Sequence, residues 1–305
     1  MVHVVAVAGG QGDVGRTIVE VLSQNPHNQV LVLSRKKLDD GSTVYVDYTD
    51  VSHIRDSLDK NNVEVVISCL NVISPEASQA EVNLARACDS CSTTRRFIAS
   101  QCSSWLNIFT RSPLPDFSAA TLAVLSETKL EYTVVSNRHF SDYYGYPKVK
   151  TYLRHADFLV DIANKTAAIP GSGKDKVAFT YSFDVARFVD ALISTEEKWP
   201  TQSAIIGEKI TVNEIVAILT YAGERFFVVY DNVDKLKSLQ VTELPSHMEA
   251  YKLFPKPMLQ TLFSVIGLWI TEGRFDLAYE GSLNQMFPHI ELTSVKELID
   301  RAWKA

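Results

Sequence analysis

Val4-Val5-Ala6-Val7-Ala8, followed at once by Gly9-Gly10-Gln11-Gly12-Asp13-Val14-Gly15, is the stretch that decides the fold. A continuous apolar, β-branched run reads as a buried strand. Val14, Ile18, Val21 and Leu22 then recur at helical spacing until Pro26. Strand, tight glycine turn and helix predict an α/β protein, a Rossmann-type doubly wound parallel sheet. Gly10, Gly12 and Gly15 keep the G-x-G-x-x-G order, in which one glycine allows the turn, one lets the backbone approach a pyrophosphate and one lets helix and strand pack closely. The helix N-terminus then faces the phosphates. Gly9, Gly10, Gln11, Gly12, Asp13, Val14 and Gly15 are therefore the predicted dinucleotide cradle.

The second strand, Val30-Leu31-Val32-Leu33, runs into Ser34-Arg35-Lys36, where an NAD enzyme usually carries an acid for the ribose hydroxyls. Two cations stand there instead. A guanidinium matches a phosphate bidentately and the ammonium adds charge, so the pair predicts a 2′-phosphate and hence NADP(H). Val44–Asp47, Val63–Ser68 and Arg96–Ser100 read as the third, fourth and fifth strands. Ligands lie at the carboxyl ends of such strands, which expects Asp47 near the adenine, Cys69, Leu70 and Asn71 near a ribose, and Ser100 and Gln101 near the nicotinamide.

Composition narrows the partners. The 305 residues carry 30 Lys and Arg against 36 Asp and Glu, a net charge of -6 that supplies no field for a nucleic acid or an anionic leaflet. Four cysteines are too few for a secreted disulfide framework, and the opening residues read as a strand without a basic signal-peptide region, so a reducing cytoplasm is expected. The longest apolar segment, Met258 to Ile270, is 13 residues long, short of the roughly 20 that a span needs. Cys88-Asp89-Ser90-Cys91 has metal-like spacing, but no second pair or nearby histidine completes a site, so no metal is expected and one thiol should be partly buried and the other face solvent.

Further motifs carry a family likeness. The glycine motif, Arg35-Lys36, Val46-Asp47-Tyr48, Arg96-Phe97-Ile98-Ala99-Ser100, Leu130-Glu131-Tyr132-Thr133-Val134-Val135 and Asp142-Tyr143-Tyr144-Gly145 resemble the NmrA-like and isoflavone-reductase-like atypical short-chain dehydrogenases, the fungal ones especially. Ala168-Ile169-Pro170-Gly171, Asp184-Val185-Ala186-Arg187, Thr211-Val212-Asn213-Glu214 and Ser282-Leu283-Asn284 extend the resemblance over nearly the whole chain. It implies an NADP(H)-binding Rossmann domain, taken here as residues 1–152, and a smaller C-terminal substrate lobe, residues 153–305, with segments returning to the Rossmann core. The active site would lie in the cleft between them. Many relatives reduce small aromatic or polyketide-like molecules, whereas the regulator that names the family senses the dinucleotide. Reductase relatives carry a lysine where this chain has Thr121, and a Ser-Glu-aromatic motif where it has Ser100-Gln101-Cys102.

Three functions follow: an NADPH-dependent reductase of an aromatic or alkaloid-like substrate in secondary metabolism, a non-redox ring-forming enzyme (a cyclase or Pictet–Spengler catalyst) using the cofactor as scaffold, or an NADP sensor. A homodimer is compatible with each. Asp142, Tyr144 and Glu272 are the candidate proton-transfer residues, and Phe140, Tyr143 and Trp269 the candidate substrate contacts. Each acid has a plainer role available: Asp142 could pair with Arg138, Lys148 or a backbone amide, and Glu272 could be an exposed helix end. Tyr144 and Lys148 have short-chain dehydrogenase spacing, but Gly145 and Pro147 argue against a shared helix face. His139 reads as a packing residue and Asp184 as the N-cap of a helix from Val185 to Ile193. The Phe254–Ile270 stripe reads equally as a substrate wall or lid and as core or a dimer face.

Overall fold

The computed structural model of the chain describes residues 3–100, 116–155, 157–223, 225–252 and 254–304. In chain order the elements are β1 (His3–Ala8), α1 (Asp13–Gln24), β2 (Asn28–Ser34), β3 (Thr43–Tyr45), α2 (Val51–Lys60), β4 (Val65–Ser68), α3 (Pro75–Ser90), β5 (Arg96–Ala99), α4 (Ala119–Glu127) and β6 (Glu131–Ser136). There follow β7 (His139–Phe140), a 3-10 turn (Ser141–Tyr144), β8 (Val160–Asp161), β9 (Thr166–Pro170), β10 (Lys176–Thr180), α5 (Ser182–Ser194), β11 (Gln202–Ala204), β12 (Glu208–Thr211) and α6 (Val212–Tyr221). The remainder is β13 (Phe227–Asp231), α7 (Val233–Lys237), α8 (His247–Ala250), α9 (Lys256–Thr271), α10 (Leu283–Met286) and α11 (Val295–Trp303).

Two compact units divide the chain: Met1–Ser136 with Val185–Ile205, and Asn137–Asp184 with Ile206–Ala305. The first holds a parallel seven-stranded sheet in the order β11-β6-β5-β4-β1-β2-β3. β1 lies centrally, and its last four residues are fully buried, as expected of an apolar strand covered on both faces. Ala8 is in register with Leu33 of β2 and Ser68 of β4, so three strand ends share one edge where the strand order reverses, the place where ligands bind such sheets.

The helices follow local chemistry. α1 buries Gly15, Thr17, Ile18 and Leu22 along one stripe. Asp50 caps α2 through Ser52 and His53, and Ser74 caps α3 ahead of Pro75. Both Cys88 in α3 and Cys91 just after it are buried, which corrects the expected solvent-facing thiol: the Cys91 Sγ donates to Asp59 at 3.2 Å.

The second unit contains two three-stranded sheets, β12-β10-β7 and β13-β9-β8. α9 buries Leu259, Val265, Ile266, Trp269 and Ile270, and Phe263 packs on Phe158 and His247 with ring centroids 4.9 and 5.0 Å apart. Its length is that of a core helix, and no helix among the described residues is long and apolar enough to cross a membrane. α6 begins with a reciprocal capping box between Thr211 and Glu214. Asp184 is no N-cap. It lies within the first turn of α5, and its carboxylate accepts from the Thr293 amide at 2.6 Å and the Thr293 hydroxyl at 3.2 Å, a long-range partner that helical periodicity does not show.

Candidate functional site: a glycine cradle and two buried polar clusters

The β1–α1 turn is built from backbone. Gly9 has φ +75°, and a Cβ there would sit 2.6 Å from the Cys69 carbonyl oxygen. A Cβ on Gly15 would lie 2.2 Å from the Gly9 oxygen and 2.8 Å from the Gly10 Cα. Gly12 donates its amide to Gly9 at 2.9 Å, and as N-cap of α1 it offers no side chain to the helix end. The 12-residue helix thus presents its positive end behind a loop with glycine at positions 9, 10 and 12, where backbone can approach a pyrophosphate closely.

At the end of β2, the Ser34 hydroxyl accepts from the Lys36 amide at 3.0 Å and turns the chain so that Arg35 and Lys36 are exposed. Neither makes an ion pair among the described residues. Two free cations beside the glycine turn's sheet edge match the donor set that a 2′-phosphate needs. β3 ends at Tyr45 rather than Asp47, because the Asp47 carboxylate closes a turn with the Thr49 amide and hydroxyl at 2.9 and 2.7 Å. Those two bonds hold its pKa below the ordinary carboxylate range.

The loops after β4 and β5 are tied together. Cys69 donates its amide to Ala8 at 2.8 Å, and the Ser100 hydroxyl donates to the Leu70 carbonyl at 2.6 Å. Asn71 follows, its carbonyl accepting from the Ile73 amide at 3.0 Å. Gln101 lies outside the described residues. Beneath Ser100 is a residue that the sequence reading missed: Glu81 of α3, fully buried, accepts the Ser100 amide at 2.7 Å. Burial pushes the Glu81 carboxyl up, opposed more weakly by the Ser68 hydroxyl, the Ser100 amide and the Thr121 hydroxyl. Glu81 Oε2, Ser68 Oγ and Thr121 Oγ1 nevertheless lack a well-formed hydrogen bond. Thr121, at the family's lysine position, is thus fully buried against a carboxyl group. The available signal was spacing, since Glu81 shares a helical face with Leu84, Ala85 and Cys88.

In the second unit Asp142 is buried and fully engaged, accepting from the Ser182 amide at 2.9 Å, the Ser182 hydroxyl at 2.6 Å and the Thr151 hydroxyl at 2.7 Å. Its partners are an amide and hydroxyls, not Arg138 or Lys148. Burial raises its pKa, with the Ser182 and Thr151 bonds opposing. The Tyr144 ring is buried edge-on to Phe179, centroids 5.6 Å apart, and burial raises its phenol pKa. Lys148 stacks on Trp303 at 4.6 Å, and Tyr144 ends a 3-10 turn, so the two share no helix face. His139 packs against Phe179 at 5.1 Å and Tyr143 at 5.8 Å, and burial holds its imidazole down to about 4. Phe140 and Tyr143 are half-buried beside these rings, whereas Trp269 lies in the core. Glu272 is an exposed helix end paired with Arg274 at 2.5 Å.

Arg138 also escaped the sequence reading as a site residue. It has φ 60°, and its Nε is buried without an acceptor. No local pattern signals that, because a left-handed arginine is neither a glycine nor part of a periodic face.

The sequence profile of the NAD dependent epimerase/dehydratase family matches residues 5–113. The oxidoreductase BOA1 of Botryotinia fuckeliana is 32% identical over 297 residues, covering 94% of this chain and 95% of that protein. The oxidoreductase swnN of Metarhizium robertsii is 27% identical over 334 residues, covering 98% and 97%. Among solved structures, the leucoanthocyanidin reductase–NADPH complex from Vitis vinifera superposes with a TM-score of 0.70 at 15% identity, covering 97% of this chain and 98% of that one, a likeness of fold. With the glycine cradle, the parallel sheet and a relative matched nearly end to end, this chain belongs to the NmrA-like, isoflavone-reductase-like family of atypical short-chain dehydrogenases.

Proposed function

We propose that the chain is an NADP(H)-dependent reductase of a small aromatic or alkaloid-like molecule in secondary metabolism. One observation carries the reading: the glycine-rich cradle at the N-terminus of α1 stands at the same sheet edge as two exposed cations that make no ion pair among the described residues. The cofactor supplies a hydride when bound. The amides of the Gly9–Gly15 turn would hold its pyrophosphate, Arg35 and Lys36 its 2′-phosphate, and the Cys69–Asn71 and Ser100 loops its ribose and nicotinamide end. Residues 1–152 would serve the dinucleotide and residues 153–305 mainly the substrate, with Phe140 and Tyr143 as its contacts. Asp142, Tyr144 and Glu272 are committed to hydrogen bonds, core packing and an ion pair, respectively, which supports water as the proton source. The test is NADPH absorbance in the presence of aromatic ketones and cyclic imines. Substrate-dependent loss is expected, and conversion of substrate without that loss would overturn the reading.

One observation favours the ring-forming alternative: at the family's lysine position this chain has a buried hydroxyl and no ammonium. Ring closure at an unchanged rate with the oxidised cofactor bound would establish it.

A further inference from the structure

We infer that Asn137, Arg138 and Ser141 form a receptor for an anionic oxygen, and that the substrate of the proposed reductase is a carboxylate. The inference rests on the reading of the chain as an enzyme acting on a small molecule and adds the charge of that molecule.

Three polar atoms within five residues are buried without a hydrogen-bond partner: Asn137 Nδ2, Arg138 Nε and Ser141 Oγ. The first two can only donate, and the hydroxyl can donate. A site with this inventory selects an acceptor. The guanidinium keeps its proton under all ordinary conditions, so the site also carries a full positive charge. Burial alone lowers the Arg138 pKa, with no neighbouring carboxylate raising it. No ion pair reaches Arg138 among the described residues. The carboxylate nearest in sequence, Asp142, gives its oxygens to Ser182 and Thr151. His139 is held neutral by burial and bonds the Phe140 carbonyl through Nδ1 at 3.0 Å, so it contributes neither a counter-charge nor a second cation.

The backbone adds a second, independent sign. Arg138 has φ 60° between β6 and β7, a conformation rare for a long side chain. A partly desolvated cation without a counter-ion, held on strained backbone, opposes folding unless an anion arrives. Such groups persist where binding repays them. A guanidinium, an amide NH2 and a hydroxyl, each with an unused donor and within five residues of chain, form a donor set that suits a carboxylate, which accepts several hydrogen bonds in one plane.

Calorimetric titration of the full chain, saturated with NADP+, with benzoate and with benzamide tests the proposal. Benzoate should bind at least about tenfold tighter than benzamide, as expected for charge-assisted bonds, and Arg138→Gln should abolish that preference. Without either probe, Arg138→Gln should hold or raise the thermal midpoint, because it removes a partly desolvated charge that has no counter-ion among the described residues. Equal affinity for the two probes, no binding of either, or a preference surviving in Arg138→Gln would overturn the proposal. A lower midpoint in that variant would show a structural partner and overturn it too. A tenfold loss of NADPH affinity in Arg138→Gln would assign the site to a cofactor phosphate and overturn the substrate assignment. None of these readouts needs NADPH oxidation, so failure of the reductase reading remains separately visible.

Discussion

The Gly9–Gly15 turn and the Asn137–Tyr144 stretch both follow a strand that ends at Ala8 or Ser136, and they build polar surroundings by opposite means. The first uses glycines, so that backbone amides and a helix end are presented, and at Gly9 and Gly15 the chain itself is the obstacle to a Cβ. The second fills itself with polar side chains, of which Asp142 is satisfied by Ser182 and Thr151 while Arg138 is not. A site made of backbone is written in residue type. A site made of buried side chains is written in which distant residue arrives to pair with each one.

The sharpest way to break this contrast is Gly15→Ala. With a Cβ 2.2 Å from the Gly9 oxygen, the turn must open; NADPH affinity should fall more than about a hundredfold and stability by about 3 kcal/mol, read by calorimetry and thermal unfolding. Near-parental binding would mean that the cradle is not the site. Arg35→Ala should weaken NADPH by about 10- to 100-fold and NADH by less than about twofold, the magnitude of one charge-assisted contact. Equal losses for both would remove the 2′-phosphate assignment.

For the second region, Asp142→Asn turns one acceptor oxygen into a donor facing the Ser182 amide or a hydroxyl. Denaturant unfolding should show a loss of about 1–3 kcal/mol, with NADPH affinity unchanged. Lost turnover in a variant of parental stability would instead make Asp142 catalytic. Glu81→Gln asks whether the backbone site also leans on a buried acid. The folded chain retains the Glu81 proton above the ordinary value of 4.5 at which the unfolded chain releases it, so the parent loses stability as pH rises from there toward the raised folded value. Glutamine keeps the acceptor for Ser100 without ionising. Its gain in unfolding free energy should therefore be larger at pH 8 than at pH 5, by up to about 1.4 kcal/mol per unit of folded-state shift, and a gain independent of pH would show that Glu81 is ionised in the fold.

Much of the first unit was legible. β1, α1 and the strands ending at Ser34, Ser68 and Ala99 follow from apolar runs bounded by turn residues, and each boundary moved by only a residue or two. Asp47 and Asp184 were less legible, because an Asx-type turn with Thr49 and a long-range bond to Thr293 replaced a strand end and a helix cap. The roles open to Asp142 are legible in the sequence, but its partner Ser182 lies 40 residues away.

The sequence by itself determined the parallel sheet, the glycine turn and the cationic end of β2, because strand burial, Cβ exclusion and fixed charge are properties of residue types in local order. Only the tertiary structure decided that Glu81 lies beneath Ser100, that Asp142 is locked to Ser182 and Thr151, and that the Arg138 Nε is buried without an acceptor among the described residues. The physical reason is desolvation: the state of a buried polar group depends on whether partners reach it from remote elements, and periodicity carries no record of that meeting.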